Sequence, residues 1–356
     1  MTKWLEIDLE AIAKNIALIK KEIAWPKVKL MVIVKANAYG HGLVEVAKRA
    51  VKEKIDYFGV ATVSEALELR KNHLKTPILV IGPVAEEEIR EAIKHRVSLS
   101  LYNIEILKKI ETCTQKLKSP VLVHLKIDTG MHRLGFPPED LYQTLPEIIC
   151  NPYIKIEYLY SHFAEVKNKN YAQKQLKILS DFLDKIGTFN IPVHFSRSLT
   201  LKQKETHFEM FRTGLAIYGL EDFPGFKPAL SFKTRIAQIK NLKKGDYVGY
   251  GLTFKANQPM KIAILGVGYA DGLDRKFSNC GEILVAGIRC PIIGRVCMNM
   301  TMINVSRVRN CQVGDEAVLI GKSGREEMTA SDLAQNIDTI AYEIVSRIPT
   351  EIPRIY

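Results

Sequence analysis

The sequence has 356 residues, 47% hydrophobic and 25% charged, and at about 100 to 200 residues per domain it predicts two domains. No run approaches the roughly 20 consecutive apolar residues that span a bilayer. The N-terminus is charged where a signal peptide needs an apolar core. These features exclude a small binding module and a membrane protein, and we expect a cytoplasmic location.

The chain is basic, because Lys and Arg outnumber Asp and Glu by 51 to 39 and give a net charge of +12. Such a balance favours either a polyanionic partner or small anionic ligands. The densest stretch, Lys167 to Lys177, has the helical spacing of a solvated face, and no recognised nucleic-acid motif accompanies the charge. We therefore expect no nucleic-acid partner. The six cysteines form no CxxC pair, so reduced thiols and no metal site are expected.

One unit repeats from residue 30 to about residue 220: a short β-branched run, a polar or Gly-rich turn and a helical stretch. The eight predicted strands are Leu30 to Lys35, Tyr57 to Ala61, Ile78 to Ile81, Val97 to Leu101, Val121 to Ile127, Ile154 to Tyr160, Val193 to Phe195 and Met210 to Arg212. The predicted helices include Leu43 to Glu53, Ser64 to Asn72, Glu86 to His95 and Tyr171 to Ile186. Eight units favour a closed (β/α)8 TIM-type barrel, with an open parallel sheet as the alternative.

After the loop Glu221 to Lys227 the pattern changes to short alternating strands with Gly-rich turns. The predicted strands are Arg235 to Ile239, Ile262 to Val267, Ile283 to Val285, Met302 to Val305 and Ala317 to Ile320. A helix is predicted over Ser331 to Asn336, where Ser331 and Asp332 indicate a helix start. The sequence thus predicts an α/β barrel over residues 1–225 and a mainly β C-terminal domain over residues 226–356. The opening strand, Trp4 to Asp8, is a candidate member of the second domain.

The carboxyl ends of the barrel strands are where an active site is expected. Lys35 ends the first strand, in VIVKANAYGHG, where poor solvation lowers the pKa of an amine and prepares it as a nucleophile or a base. A lysine that extends to solvent is the alternative. After strand eight, the N–H groups of Gly214 and Leu215 are placed to bind a phosphate, with the hydroxyl of Ser198 nearby. Together these features indicate a cofactor with one phosphate and one aldehyde.

The motifs of the whole chain resemble those of the bacterial alanine racemases. They stand in the family's order and spacing: VKANAYGHG, LKIDTGMHRLG, RTGLAIYG, VGYG, GVGYADG, GRVCMNM, TIAYE and IPRIY. The resemblance implies that Lys35 anchors pyridoxal 5'-phosphate covalently and serves as one of two proton-transfer bases. It implies that Tyr250, supplied by the partner subunit, is the other base, and hence a homodimer with shared active sites. From the residues alone, Tyr250 could equally be a packing tyrosine between two glycines.

The resemblance also implies roles for further residues. Arg212 is expected to donate to the pyridine nitrogen, and His162 to hydrogen-bond Arg212, although a satisfied core histidine is the alternative. The residues implied to grip the phosphate are Tyr39, Ser198, Gly214, Leu215 and Tyr342. Those implied around an amino-acid substrate are Arg133, the backbone of Met298, and Tyr269 and Asp271 at the entrance. Lys126 matches a position that is carbamylated in some relatives, and is a candidate for that modification.

Three residues depart from the family pattern. His132 stands where glycine is usual, Asn299 where aspartate is usual, and Arg197 where asparagine is common. None of them removes an implied catalytic group. They bear on kinetics and fine specificity.

The leading hypothesis is an enzyme that interconverts L- and D-alanine for peptidoglycan precursors. Its alternatives are a serine, lysine or broad-specificity racemase, a barrel-type decarboxylase with the same cofactor, and a non-catalytic carrier of pyridoxal phosphate. Arg212 in place of an acid and the Tyr250 turn argue against the decarboxylase. The β-rich second domain argues against the carrier.

Overall fold

The computed structural model describes residues 1–220 and 223–356, so Glu221 and Asp222 of the predicted loop lie outside the described residues. Contacts between Cα atoms divide the chain into two compact units. Unit 1 comprises Met1–Ile12, Asn37–Gly42 and Tyr218–Tyr356, and unit 2 comprises Ala13–Ala36 and Leu43–Ile217. The N-terminal residues thus belong with the C-terminal part of the chain.

The chain begins with β1 (Lys3–Ile7) and α1 (Leu9–Glu22). Asp8 caps the helix, since its Oδ1 accepts the N–H of Ala11 at 2.8 Å. The apolar side chains of α1 recur at three- and four-residue spacing, which predicts one buried stripe. Ile12, Ile16 and Ile19 of this stripe are fully buried.

Unit 2 contains the predicted barrel. Its strands are β2 (Lys29–Ile33), β3 (Tyr57–Val60), β4 (Ile78–Val80), β5 (Ser98–Leu101), β6 (Val121–Lys126), β7 (Ile154–Tyr160), β8 (Val193–His194) and β9 (Met210–Thr213). The helices along this part of the chain are α2 (Lys35–Tyr39), α3 (Leu43–Lys52), α4 (Val63–Lys71), α5 (Glu86–Lys94), α6 (Ile104–Leu117), α7 (Pro138–Cys150), α8 (Lys169–Lys185) and α9 (Leu215–Tyr218). The eight strands pair in parallel in the order β8-β7-β6-β5-β4-β3-β2-β9.

The sheet nearly closes on itself between β8 and β9. The N–H of Glu209 donates to the carbonyl of Val193 at 3.2 Å across this seam. The predicted TIM-type barrel is therefore confirmed, and the open sheet is wrong. The named predictions did not include the short helices α2 and α9 or the longer helices α6 and α7. Helix α7 contains Pro146, which in a sequence indicates a helix break.

Unit 1 is mainly β, as predicted. Its strands are β1 and β10 (Leu230–Leu242), β11 (Tyr247–Val248), β12 (Phe254–Lys255), β13 (Met260–Leu265), β14 (Glu282–Val285), β15 (Ile288–Pro291), β16 (Thr301–Asn304), β17 (Glu316–Ser323), β18 (Glu326–Met328) and β19 (Arg354–Ile355). The central strand is β10, which pairs antiparallel with β1, β13 and β17. It has 13 residues, far more than the predicted Arg235 to Ile239.

The helices of unit 1 are α10 (Ala330–Asn336) and α11 (Ala341–Ser346). The predicted helix over Ser331 to Asn336 corresponds to α10, which begins one residue earlier, at Ala330. Thr329 is the N-cap, and Asp332 is its reciprocal capping partner inside the first turn. A bilayer-crossing helix is not found within residues 1–220 and 223–356.

Candidate active site

Four of the predicted site residues lie at the carboxyl ends of barrel strands. Lys35 follows β2, Lys126 ends β6, His162 follows β7 and Arg212 lies in β9. Because the strands are parallel, these ends share one face of the barrel. The side chains also influence each other's ionisation. Unit 2 therefore brings together a positively charged cluster.

The Lys35 side chain is half-buried. Burial lowers its pKa, the positive charge of Arg133 lowers it further, and the carboxylate of Glu65 acts in the opposite direction. Within the described residues, the amine of Lys35 makes no hydrogen bond or ion pair. A lysine with a lowered pKa and no partner is available as a nucleophile or a base.

The chain turns sharply after Lys35. Residues Ala36 to Tyr39 have φ values of 52° to 53°, which makes α2 a left-handed helical turn. Left-handed conformation costs an L-residue about 1–2 kcal/mol, and such strain concentrates at functional sites. The turn continues through Gly40 at φ 80°, where a Cβ would lie 2.2 Å from the carbonyl oxygen of Val345. Only glycine fits at that position.

Lys126 is a second amine of the cluster, with 5% of its surface exposed. Burial first, then the charges of Arg133 and Arg212, lower its pKa to about 7. Its Nζ lies 5.2 Å from the ring centroid of Tyr160. An amine that is partly neutral near pH 7 can react with carbon dioxide, which fits the sequence-based interpretation of Lys126.

Arg212 is buried and held from two sides. Its Nη2 donates to the carbonyl of Ser161 at 2.6 Å, and its Nε donates to the carbonyl of Ser196 at 3.3 Å. Burial lowers its pKa to about 10, so the guanidinium stays charged at neutral pH. In the part of the chain that the structure describes, Nη1 has no hydrogen-bond partner. One donor of a fixed guanidinium is therefore open for a ligand.

His162 lies against this guanidinium, with its Nδ1 3.4 Å from Nη2 of Arg212. Burial holds the pKa of His162 well below its usual value, and the charges of Arg212, Arg197 and Arg133 add to this effect. The imidazole is thus neutral, and Nδ1 can accept from the arginine. The sequence-based pair of His162 and Arg212 is in contact.

The predicted phosphate residues of unit 2 gather around Ser198. Its buried hydroxyl lies 3.1 Å from Oγ1 of Thr213 and accepts the N–H of Gly214 at 3.2 Å. Leu215 begins α9, and the N–H groups of a first helical turn have no partner within their own helix. Hydroxyls and N–H groups converge here, as an anion requires.

The other two phosphate candidates lie in unit 1, where they form an aromatic group with residues that sequence reasoning missed. The ring of Tyr39 lies 5.0 Å from that of Tyr218 and 6.4 Å from that of Tyr342. The ring of His41 packs 4.5 Å from Tyr218, and its Nδ1 lies 2.9 Å from the carbonyl of Tyr39. The only sequence signal for this group was the GHG that ends the first motif.

Tyr250 lies on an exposed turn of unit 1. It is flanked by Gly249 and Gly251, both with φ of 70°, and 72% of its surface is exposed. It is therefore not a packing tyrosine within the chain. Met298 is also exposed, at 57%, and its N–H makes no hydrogen bond among residues 1–220 and 223–356. Both features leave these groups available to another molecule.

The two entrance candidates, Tyr269 and Asp271, lie in a segment that is hydrogen-bonded to Met298, which lies between β15 and β16. The N–H of Ala270 donates to the Met298 carbonyl at 2.9 Å. Asp271 is buried and forms an ion pair with Lys3 at 2.5 Å. Nδ2 of Asn299 lies 3.4 Å from Oδ2 of Asp271. An aspartate at position 299 would instead place a second carboxylate there.

The other two departures from the family pattern have different surroundings. His132 adopts φ 54°, the left-handed region that favours glycine, and its side chain is 81% exposed beside Asp128. Its bulk therefore points to solvent. Arg133, next in the chain, makes no side-chain hydrogen bond or ion pair with any described residue. Arg197 adds positive charge near His162.

A polar network inside the barrel was also missed. Glu157 Oε2 accepts from the hydroxyl of Tyr57 at 2.7 Å and from that of Ser98 at 2.5 Å. His124 connects this group to His194, with 2.8 Å between the two ring nitrogens. The ring of His194 stacks on that of Tyr160 at 4.7 Å. Alternation along strands marks such residues as inward-facing but does not tell which of them pair.

Comparison with known proteins agrees with these observations. Residues 7–222 match the family model of the alanine racemase N-terminal domain, and residues 229–356 match that of the C-terminal domain. The alanine racemase of Methanococcus maripaludis is 39% identical over 99% of this chain and 98% of its own. Alanine racemase 2 of Caldanaerobacter subterraneus is 36% identical, over 99% and 94%.

Solved structures are similar along the whole chain. Alanine racemase of Clostridium difficile superposes with a TM-score of 0.93 at 33% identity, covering 100% of this chain and 96% of its own. Alanine racemase of Bacillus anthracis, crystallised with L-Ala-P, gives a TM-score of 0.93 at 33% identity, covering 99% and 94%.

The barrel, the β-rich unit and the charged cluster at the strand ends define an α/β-barrel enzyme with a second, mainly β domain. Within that class, the chain belongs to the alanine racemase family, whose two domain models together match nearly all of it. The family predicted from the motifs is confirmed.

Proposed function

We propose that this protein interconverts L- and D-alanine with pyridoxal 5'-phosphate bound through Lys35. The observation that carries this proposal is the open Nη1 donor of the buried Arg212, on the same barrel face as the Lys35 amine. A heteroaromatic nitrogen fits that donor, an aldehyde fits the amine, and a phosphate fits the N–H groups beside Ser198. The residues present therefore suit this cofactor.

Pyridoxal 5'-phosphate, when bound, supplies an electron sink that stabilises negative charge at the α-carbon of an amino acid. Arg212 would hold the ring nitrogen by donation alone, because a guanidinium has no acceptor. The neutral His162 would support Arg212 through Nδ1. Ser198, Gly214 and Leu215 would hold the phosphate, joined by the hydroxyls of Tyr39 and Tyr342.

Racemisation needs a proton donor and acceptor on each face of a planar carbon. Lys35 would serve one face, since its lowered pKa favours the neutral amine that accepts a proton on Nζ. Tyr250 of a second copy would serve the other face through its phenol oxygen. Its exposure of 72% supports this assignment, because a phenol buried in its own chain could not reach a neighbour.

The assembly that we propose is a homodimer with shared active sites. Unit 1 exposes large apolar side chains, two of them close to Tyr250 in sequence, which is typical of a surface covered by another chain. They include Tyr247 and Leu252 beside Tyr250, and Tyr269, Met298 and Met300 farther along the chain. The substrate carboxylate would be bound by Arg133 and by the N–H of the partner's Met298. A carbamate on Lys126 would give Arg133 an anionic partner.

The cofactor assignment is tested by absorbance and by reductive trapping. The purified protein should be coloured, and borohydride should fix the cofactor onto Lys35, identified by peptide mass spectrometry. A colourless protein, or label on another lysine, would refute the assignment. Tyr250→Phe should keep the bound cofactor but lose α-proton exchange with deuterated water, chiefly in one direction. Undiminished exchange in both directions would reject the two-base assignment.

The substrate is tested by offering all common amino acids and following the loss of optical rotation. Alanine should react fastest. A faster reaction with serine or lysine would show that the proposed substrate is wrong. Release of carbon dioxide would show that the protein is a decarboxylase and not a racemase. Supply of D-alanine for peptidoglycan, and a cytoplasmic location, are parts of the proposal that cell fractionation and D-alanine auxotrophy of a deletion strain would test.

A further inference from the structure

Glu65 links two loops at the barrel face. It lies at the third position of α4, where Thr62 is the N-cap. Its Oε2 accepts the N–H of Ala61 at 2.7 Å, at the end of β3. Its Oε1 accepts the N–H of Ala36 at 2.6 Å, directly after Lys35. One carboxylate thus accepts hydrogen bonds from the two chain segments that follow the neighbouring strands β2 and β3.

The contact with Ala36 exceeds what a helix cap needs. In α5 the equivalent residue, Glu88, accepts the N–H of Ala85 at 2.8 Å and, within the described residues, makes no other hydrogen bond. Glu65 uses its second oxygen on a residue 29 positions earlier in the chain. Ala36 is the first residue of the left-handed turn, with φ 53°. A strained backbone persists only where its surroundings hold it.

We propose that Glu65 is a positioning residue for Lys35: its carboxylate fixes the backbone at Ala36 and places a negative charge facing the amine. The inference rests on the proposed role of Lys35. Among the described residues, two charged groups besides Glu65 interact electrostatically with this amine, and both are positive. They are Arg133 and Lys126. The negative charge of Glu65 thus opposes the effect of these two positive charges on the amine. Its hydrogen bond to Ala36 holds the backbone next to Lys35 and leaves Nζ without a hydrogen bond.

A neutral glutamine cannot replace this carboxylate. Both oxygens of Glu65 accept from backbone N–H groups, whereas Gln has one acceptor and an NH2 that would face a second donor. Glu65→Gln should therefore release the N–H of Ala36 and remove the charge. Glu88→Gln is the matched control, because it makes the same change in the cap of α5. Thr62→Ala is the second control, because it weakens the cap of α4 and keeps the carboxylate.

The test uses the cofactor-free protein and a small amine-reactive reagent. The rate of Lys35 modification is followed against pH by mass spectrometry. Glu65→Gln should shift the profile of Lys35 to lower pH, while both controls coincide with the unmodified protein. Capture of added pyridoxal 5'-phosphate should slow by on the order of tenfold in Glu65→Gln only, because small displacements of a reacting group have effects of this size.

This experiment distinguishes a failure of the positioning role of Glu65 from a failure of the proposed function of Lys35. Coincident Lys35 profiles for Glu65→Gln and Glu88→Gln would overturn the positioning role and leave Glu65 a helix cap. Failure of Lys35 to trap the cofactor in the unmodified protein would instead overturn the proposed function. If Glu65→Gln does not fold, Glu65→Asp keeps the charge but shortens the reach. It should speed amide exchange at Ala36, and unchanged exchange there would also overturn the proposal.

Discussion

Replacement of Lys126 by methionine should stabilise the protein in acid and lose this effect in base. The cause is the burial of an amine beside Arg133 and Arg212, which lowers its pKa from 10.5 to about 7. Below pH 7 the buried amine of Lys126 is protonated in the folded protein, and its charge lowers the unfolding free energy by the full amount. Between pH 7 and 10.5 the unfolded chain binds the proton more tightly, so the stability of the native protein rises with pH.

The size of this effect follows from the two pKa values. At about 1.4 kcal/mol per pH unit, the depressed pKa corresponds to up to about 5 kcal/mol of unfolding free energy. Lys126→Met keeps a similar side-chain length without a charge. Near pH 6 it should therefore unfold at a higher urea concentration than the unmodified protein, and near pH 10 the two should unfold together.

The assay is urea unfolding of cofactor-free protein in buffers purged of carbon dioxide. Lys155→Met, on an exposed position of β7, is the matched control and should show no pH-dependent gain. Added bicarbonate should stabilise the unmodified protein but not Lys126→Met, because a carbamate would place an anion among the cations. A difference between Lys126→Met and the unmodified protein that stays constant from pH 6 to 10 would refute the reasoning.

Three further changes have expected outcomes. Asn299→Asp places two carboxylates about 4 Å apart, worth about 1–4 kcal/mol of repulsion, so its Tm should drop at pH 7 and recover near pH 3. Burial opposes ionisation of Glu157, but hydrogen bonds from His124, Ser98 and Tyr57 lower its pKa to about 2. The unfolding free energy of the native protein should therefore fall as the pH drops from about 4.5 to 2. In urea unfolding, Glu157→Gln should have an unfolding free energy about 3 kcal/mol lower at pH 7, and this free energy should not change over that acid range. His132→Gly should raise the unfolding free energy by up to about 1 kcal/mol, and His132→Val should lower it.

Several parts of the structure could be predicted from the sequence for identifiable physical reasons. The alternation of β-branched runs and helical stretches fixed the strand count, since each unit buries one strand and one helix face. The ends of the barrel strands were predicted to within a few residues. The first strand was predicted to end at Lys35, but β2 ends at Ile33 and Lys35 lies beyond it. The chain there enters a left-handed turn, which the residue propensities of the sequence do not indicate.

Site residues were predictable from the sequence where they stand at the carboxyl end of a barrel strand, because those ends share the face that carries the active site. Lys35 and Arg212 follow this rule, whereas Lys126 and His162 were named because the motifs resemble those of the family. Contacts between residues far apart in sequence were not predictable. Glu65 reads as an ordinary capping residue from the sequence, and its bond to Ala36 depends on how two adjacent loops fold. The roles of the site residues toward a cofactor remain predictions.

The central claim is that Lys35 of one chain and Tyr250 of another form one active site. Lys35→Ala and Tyr250→Phe should each have little racemase activity alone. When the two are unfolded together and refolded, hybrid dimers should form that contain one intact site, and activity should recover to about a quarter of the native value. No recovery, with hybrid dimers demonstrated by mass spectrometry, would contradict the shared site.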